Sequence, residues 1–111
     1  MNELNYASFE ASKRLVDAGI VLETESCWRY GLDDKWSLVS VDWATTMMSN
    51  TLKVIPAPSM AEVWRELPHG SWIHTGSQGN EAWFDEKCFR NDNPTDALID
   101  LLIWVLKEKA R

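Results

Sequence analysis

The strongest constraint on the fold lies near the middle of the chain, where two prolines precede a helix-start signal. Pro56 and Pro58 each lack a backbone N–H and push the preceding residue into an extended conformation, so neither a helix nor a central strand continues through them. Residues Ser59 to Glu62 then form a capping box, in which the serine hydroxyl and the glutamate carboxylate each accept from the other's backbone N–H. The sequence therefore predicts a rigid lead-in followed at once by a helix.

That middle helix is predicted to be short and amphipathic. Its apolar positions recur at i, i+3, i+4 and i+7: Met60, Val63, Trp64 and Leu67. Pro68 and Gly70 end it. This spacing predicts that Trp64 lies in the core, where truncation to alanine costs roughly 3–5 kcal/mol.

Two further helices are predicted from their ends. The first covers residues 8–18, with Asn5 or Ser8 as the N-cap and Gly19 as the left-handed residue after its C-terminus. The last covers residues 94–109, where Asn93 caps a helix that has proline at its first position and an acid in its first turn.

Between the helices, the composition predicts two hairpins. Strands over about 27–31 and 36–42 flank a turn-forming segment, and strands over 71–75 and 81–85 flank the segment Gly76 to Asn80. The second turn places Trp72 opposite Trp83 and His74 opposite Glu81. Residues 44–50 fit either a helical turn or a strand continuation and are left unassigned.

These elements predict a single α+β domain over residues 1–111. Its order is α-β-β-α-β-β-α, with an antiparallel sheet of about four strands in two hairpins and three helices packed on one face.

Charge and hydropathy narrow the classes of function. The net charge is −6, and the eleven basic residues are scattered, which argues against direct nucleic-acid binding. The first residues lack the basic and apolar regions of a signal peptide, and no stretch is apolar enough to span a bilayer, so we expect a cytoplasmic protein without a membrane partner. Cys27 and Cys88 lie outside any CxxC motif, which favours two reduced, packed thiols over a disulfide.

Motifs for catalysis, cofactors and metals are missing. His69 and His74 lack the i, i+4 register of paired helix ligands, and no nucleophile elbow or phosphate-binding loop is present. We therefore expect no catalytic, cofactor-binding or metal-binding residues and no cofactor. An enzyme would have to combine distant groups such as His74 with Glu81 or Asp85.

Seven tryptophans are the main peculiarity of the composition. Exposed tryptophans give protein-binding surfaces a large contact area at low entropic cost, although the same side chains can instead pack beneath helices. The candidate partner surface is the following set: Trp28, Trp36, Trp72, Trp83 and Trp104.

The last helix has an apolar surface that is wider than one packed face needs, because its polar stripe contains three residues: Asp96, Asp100 and Lys107. Ile99, Ile103 and Trp104 lie on its flanks and require cover. Either residues 44–58 fold back over this helix, or a second copy or another partner covers it.

Short segments such as Ser12 to Leu15, Ile55 to Ser59 and Asn93 to Ala97 together resemble a group of uncharacterised small proteins of bacterial phages and mobile elements. The resemblance follows most of the chain in order and implies a phage or prophage accessory protein. It implies no catalytic or binding residues.

The leading hypothesis is a non-enzymatic protein-binding module. The alternatives are an immunity-type inhibitor of a basic toxin, a small enzyme, and an anti-restriction DNA mimic; the module's partner is a protein of unknown identity, or a second copy in a homodimer. A mimic of one duplex turn of ~34 Å needs roughly twenty phosphate-like charges, well above the net charge of this chain.

Overall fold

The computed structural model describes residues 5–20, 22–31, 34–40 and 54–109. Over these residues the chain has an α+β fold with three helices and six strands, which form two three-stranded antiparallel sheets. The elements in chain order are α1 (Phe9–Asp17), β1 (Ser26–Tyr30), β2 (Trp36–Ser40), β3 (Val54–Pro56), α2 (Met60–Glu66), β4 (Trp72–Gly76), β5 (Gly79–Phe84), β6 (Lys87–Asn91) and α3 (Pro94–Lys109). The predicted α+β class, the three helices and both hairpins are confirmed, but the described residues contain six strands in two sheets rather than about four strands in one sheet.

The first sheet has the order β2-β1-β3. Its β1–β2 hairpin is the predicted one, while β3 pairs with the other side of β1 and places Pro56 opposite Cys27. The sequence predicts only a rigid lead-in at Pro56. A proline can occupy β3 because this is an edge strand, where one side of the backbone needs no ladder partner. Residues 41–50, which include the end of the predicted second strand and the unassigned segment, lie outside the described residues.

The second sheet has the order β4-β5-β6. The register of its β4–β5 hairpin is confirmed, with Trp72 opposite Trp83 and His74 opposite Glu81. The sheet also contains β6, which the sequence analysis missed. The turn into β6 places Asp85 at a φ of 53°, a left-handed conformation that aspartate tolerates in turns, at a position that the sequence analysis assigned to the end of a strand.

Local capping chemistry sets the starts of the first two helices as predicted. The Ser8 hydroxyl accepts from the Ala11 N–H (3.1 Å), which selects Ser8 over Asn5 as the cap of α1. Both bonds of the Ser59–Glu62 capping box are present, at 3.2 Å and 2.7 Å. Gly19 follows α1 with a φ of +77°, in the left-handed region where a side chain would be strained.

Helix α3 supplies most of the core. It packs against β5, β6, α2 and α1, and its fully buried apolar side chains are Ala97, Leu98, Ile99, Leu101 and Leu102. The predicted cap is present, since Asn93 Oδ1 accepts from the Thr95 N–H at 2.8 Å. Asp96 is a correction: it is buried rather than part of an exposed stripe, because its carboxylate accepts from the Ser8 N–H at 2.9 Å.

The apolar flanks of α3 are covered largely within the chain. Ile99 is fully buried, and Ile103 and Trp104 are partly buried against the core. The Lys87 ammonium on β6 lies 5.8 Å from a ring centroid of Trp104. The part of the 44–58 segment that is described does not provide this cover, because Val54–Pro56 pairs with β1. No helix among the described residues is long and apolar enough to cross a membrane.

Candidate protein-binding face

The second sheet presents one face to α3 and the other away from it. Ile73, Ala82 and Phe89 are in register and pack on the core. Because successive side chains of a strand point to opposite faces, the intervening residues share the other side of the sheet. We call this surface the outer face, and it consists of two rows across the three strands: Trp72, Trp83 and Cys88, then His74, Glu81 and Arg90.

A stacked pair of tryptophans dominates the outer face. The rings of Trp72 and Trp83 are parallel within 5°, with their centroids 5.4 Å apart. Trp72 is 48% exposed, whereas Trp83 is half-buried beside it. An offset or parallel aromatic pair across a ladder adds to the stability of the strand pair and fixes both rings in place. Contact with Trp83 therefore orients the exposed Trp72 indole in the free protein.

The second row of the outer face is an ion pair with a histidine at its end. Arg90 Nη2 lies 2.6 Å from Glu81 Oε2, and Arg90 Nη1 donates to Gln78 at 3.3 Å. The hydrogen bond from Arg90 holds the pKa of Glu81 below its usual value, and the same bond raises the pKa of Arg90. The row therefore presents a neutralised pair at ordinary pH.

This arrangement does not favour acid–base chemistry at the outer face. A carboxylate with a lowered pKa is a poor proton donor, so Glu81 is not suited to act as a general acid with His74. Asp85, the other carboxylate considered with His74, lies in the turn after β5 rather than opposite His74.

The two cysteines are free thiols in different sheets. Burial raises the pKa of Cys27, and burial together with the Glu81 carboxylate raises the pKa of Cys88. Because the thiolate is the nucleophile and the metal ligand, a raised pKa makes both side chains less reactive. Within the described ranges, no group of three or more histidine, cysteine or acidic side chains could hold a metal ion.

The structure separates the five tryptophans of the predicted partner surface. Trp72 and Trp83 meet on the outer face, but Trp28 and Trp36 pack on Phe9 of α1 instead. The Trp28 indole also donates to the Ala7 carbonyl oxygen at 2.9 Å. Trp104 lies on α3 beside Lys87 of β6. Of these five side chains, Trp72 and Trp83 are therefore the two that meet on the outer face.

Trp64 is the residue that the sequence analysis placed wrongly. It is 43% exposed, while the buried residues of α2 are Glu62 and Val63. The Glu62 carboxylate accepts hydrogen bonds from the backbone N–H groups of Ser59 and Glu25. Because successive residues of a helix are about 100° apart, a buried face that contains Glu62 and Val63 leaves Trp64 towards its edge.

Trp64 lines an open apolar groove of about 690 Å³ between α2 and β4. Met60, Ala61 and Ile73 contribute to the same groove, and Arg65 is the charged residue at its wall. We call this surface the α2–β4 groove.

Searches against protein-family models, curated proteins and solved structures find no significant match to this chain.

Proposed function

We propose that this chain is a non-enzymatic protein-binding module and that the outer face is its binding surface. The observation that supports this proposal is the stacked Trp72–Trp83 pair, whose outer ring is half exposed and already oriented. Tryptophan is the residue type most often found as an anchor of protein interfaces, because one rigid side chain buries a large apolar area. The orientation of Trp72 before binding lowers the entropic cost of using it.

The surroundings of the pair suit a protein better than a nucleic acid. Aromatic platforms for single strands combine stacking with a basic groove that follows the phosphates. Here the guanidinium of Arg90 is neutralised by Glu81, and His74 occupies the end of the row. A polar, nearly neutral rim around an aromatic centre is the usual composition of a protein interface.

A second candidate is an immunity-type inhibitor of a basic toxin. The surface that favours it is the turn formed by Asp85 and Glu86, which shares a groove with Lys87 and Trp104. Two exposed carboxylates beside an aromatic side chain would attract a basic partner, and that association would weaken steeply with salt. The phage or prophage origin belongs to both proposals and rests on the sequence resemblance.

The test is a comparison of three tagged chains in lysate of the source cells. Wild type, Trp72→Ala and Trp64→Ala are used as baits, and captured proteins are quantified by mass spectrometry. Trp64 is the matched control, since it is a tryptophan of similar exposure on a different surface. We expect a protein that is retained by wild type and Trp64→Ala and reduced about tenfold or more by Trp72→Ala.

Three outcomes would contradict the proposal or favour a different binding surface. Equal capture by all three baits would place the interface away from the outer face. Loss of capture with Glu86→Lys and with rising salt, but not with Trp72→Ala, would favour the toxin inhibitor. The absence of any stoichiometric partner would contradict both binding proposals.

A further inference from the structure

The second sheet has two edges of different character. The edge strand β6 contains Lys87 and Arg90, and charged side chains are a common protection against pairing with another chain. The opposite edge, β4, reads Trp-Ile-His-Thr-Gly and contains no lysine, carboxylate or proline. By this criterion β4 is an unprotected edge.

Strand β4 is also accessible. Among the described residues it pairs with β5 and with no other strand. Four of its five residues are exposed, and Ile73 is half-buried. An edge strand offers unpaired backbone N–H and C=O groups, which an added strand can satisfy.

The α2–β4 groove adjoins this strand at Ile73. Among the described residues its lining is mostly apolar, apart from Asn5, Ser59 and the charged Arg65, and none of these lining residues is a carboxylate. The protein as a whole has a net charge of −6. Two copies that meet here therefore bring no carboxylate of β4 or of the described groove lining against another, which matters for a chain whose net charge is negative.

The strand is complementary to itself. In an antiparallel pair with a two-fold axis at His74, Trp72 lies opposite Gly76 of the second copy and Ile73 lies opposite Thr75. Trp72, the largest side chain of β4, would thus lie opposite a glycine, which leaves room for it. Ile73 and Thr75 are both β-branched, and such residues pair well across a ladder. The His74 ring leans towards Gly76, with Nε2 at 3.3 Å from the place of a Cβ there, so the incoming indole would also meet an aromatic ring.

We propose that a second copy of this chain pairs with β4 in antiparallel orientation and forms one continuous six-stranded sheet. A stable interface needs about 800 Å² from each partner, which a pair of five-residue strands does not supply. The α2–β4 groove, which adjoins β4 at Ile73, would supply additional apolar area. This inference does not depend on the proposed function, but it would place two Trp72–Trp83 pairs on one surface.

The test is sedimentation equilibrium over a range of concentrations, with two lysine variants. His74→Lys places two ammonium groups at the axis. Gln78→Lys makes the same change of charge in the adjacent turn, outside the paired strand. We expect a wild-type dimer whose dissociation constant rises about tenfold or more in His74→Lys and stays within about twofold in Gln78→Lys. Thermal unfolding monitored at low, monomeric concentrations establishes that both variants fold.

A cross-link provides the second measurement. His74→Cys brings two thiols together at the axis, so mild oxidation should give a covalent dimer, while Gln78→Cys and wild type should not. A chain that is monomeric at every concentration, or a dimer insensitive to both changes at His74, would overturn the proposal. A monomer that still captures a partner through Trp72 would overturn this inference alone, and a dimer without any partner would overturn only the proposed function.

Discussion

The carboxylate of Glu62 accepts a hydrogen bond from the backbone N–H of Glu25, 37 positions earlier in the chain, at 3.0 Å. The other oxygen of this carboxylate accepts from the Ser59 N–H at 2.7 Å. The side chain that closes the capping box therefore also fixes the segment that leads into β1. Glu62 is buried, with 8% of its surface exposed, so both donors lose a good acceptor if it is removed.

We expect Glu62→Ala to lower the free energy of unfolding by roughly 1–3 kcal/mol, because it leaves two backbone donors unpaired. Ser59→Ala should cost about 1 kcal/mol, since it removes a single cap bond. Urea denaturation measures both, with Glu66→Ala at the exposed end of α2 as the control. Equal losses for Glu62→Ala and Glu66→Ala would mean that the bond to Glu25 contributes nothing to stability.

Trp64→Ala should destabilise the fold less than the apolar spacing of α2 predicts. The exposed indole leaves no closed cavity when it is truncated, so we expect a loss of about 1 kcal/mol or less. Leu101→Ala, at a fully buried position of α3, should cost roughly 2–5 kcal/mol. Thermal or urea unfolding of the two variants measures both losses of stability. A loss for Trp64→Ala as large as that for Leu101→Ala would mean that Trp64 is a core residue.

Features decided by neighbouring residues could be predicted from the sequence. The caps at Ser8, Ser59 and Asn93 follow from hydrogen bonds within three residues of each. The register that joins Trp72 to Trp83 follows from a turn flanked by two glycines. Both features therefore required no knowledge of the rest of the chain.

Features decided by distant residues could not be predicted in this way. Strand β3 exists because β1 offers it a partner, and Pro56 is tolerated only because that place is an edge. Glu62 is buried where it contacts the distant Glu25, a position that the apolar spacing of α2 did not indicate. The outer face was predicted only in part, because the sequence identified its tryptophans without separating them from those that pack on α1.

Asp100 should make the stability of the fold depend on pH. Burial raises the pKa of Asp100, and the nearby Arg14 guanidinium, at 2.9 Å, lowers it by less. The folded chain therefore binds this proton more tightly than the unfolded chain, in which the pKa is about 3.9. As pH rises from that value through the folded pKa, ionisation of Asp100 removes stability.

The side chain of Asp100→Asn cannot ionise. The stability of this variant relative to wild type should therefore increase as pH rises from about 3.9 through the folded pKa of Asp100, and should differ from wild type by a constant amount at higher pH. Urea denaturation at several pH values measures the difference. In an Arg14→Met background the gain should be larger, because the group that lowers the pKa is gone. A difference that is independent of pH, or that shrinks as pH rises, would contradict this account.

Site-specific photo-crosslinking tests the binding role of the outer face most directly. A photoreactive phenylalanine derivative replaces His74, next to the Trp72–Trp83 pair, or Asp17, at the exposed end of α1. After irradiation in source-cell lysate, the products are separated and identified by mass spectrometry. We predict an adduct between the chain and a different protein from position 74, in addition to any adduct between two copies of the chain, and little or no adduct with a different protein from position 17. Equal adducts from both positions, or adducts from position 17 alone, would contradict it.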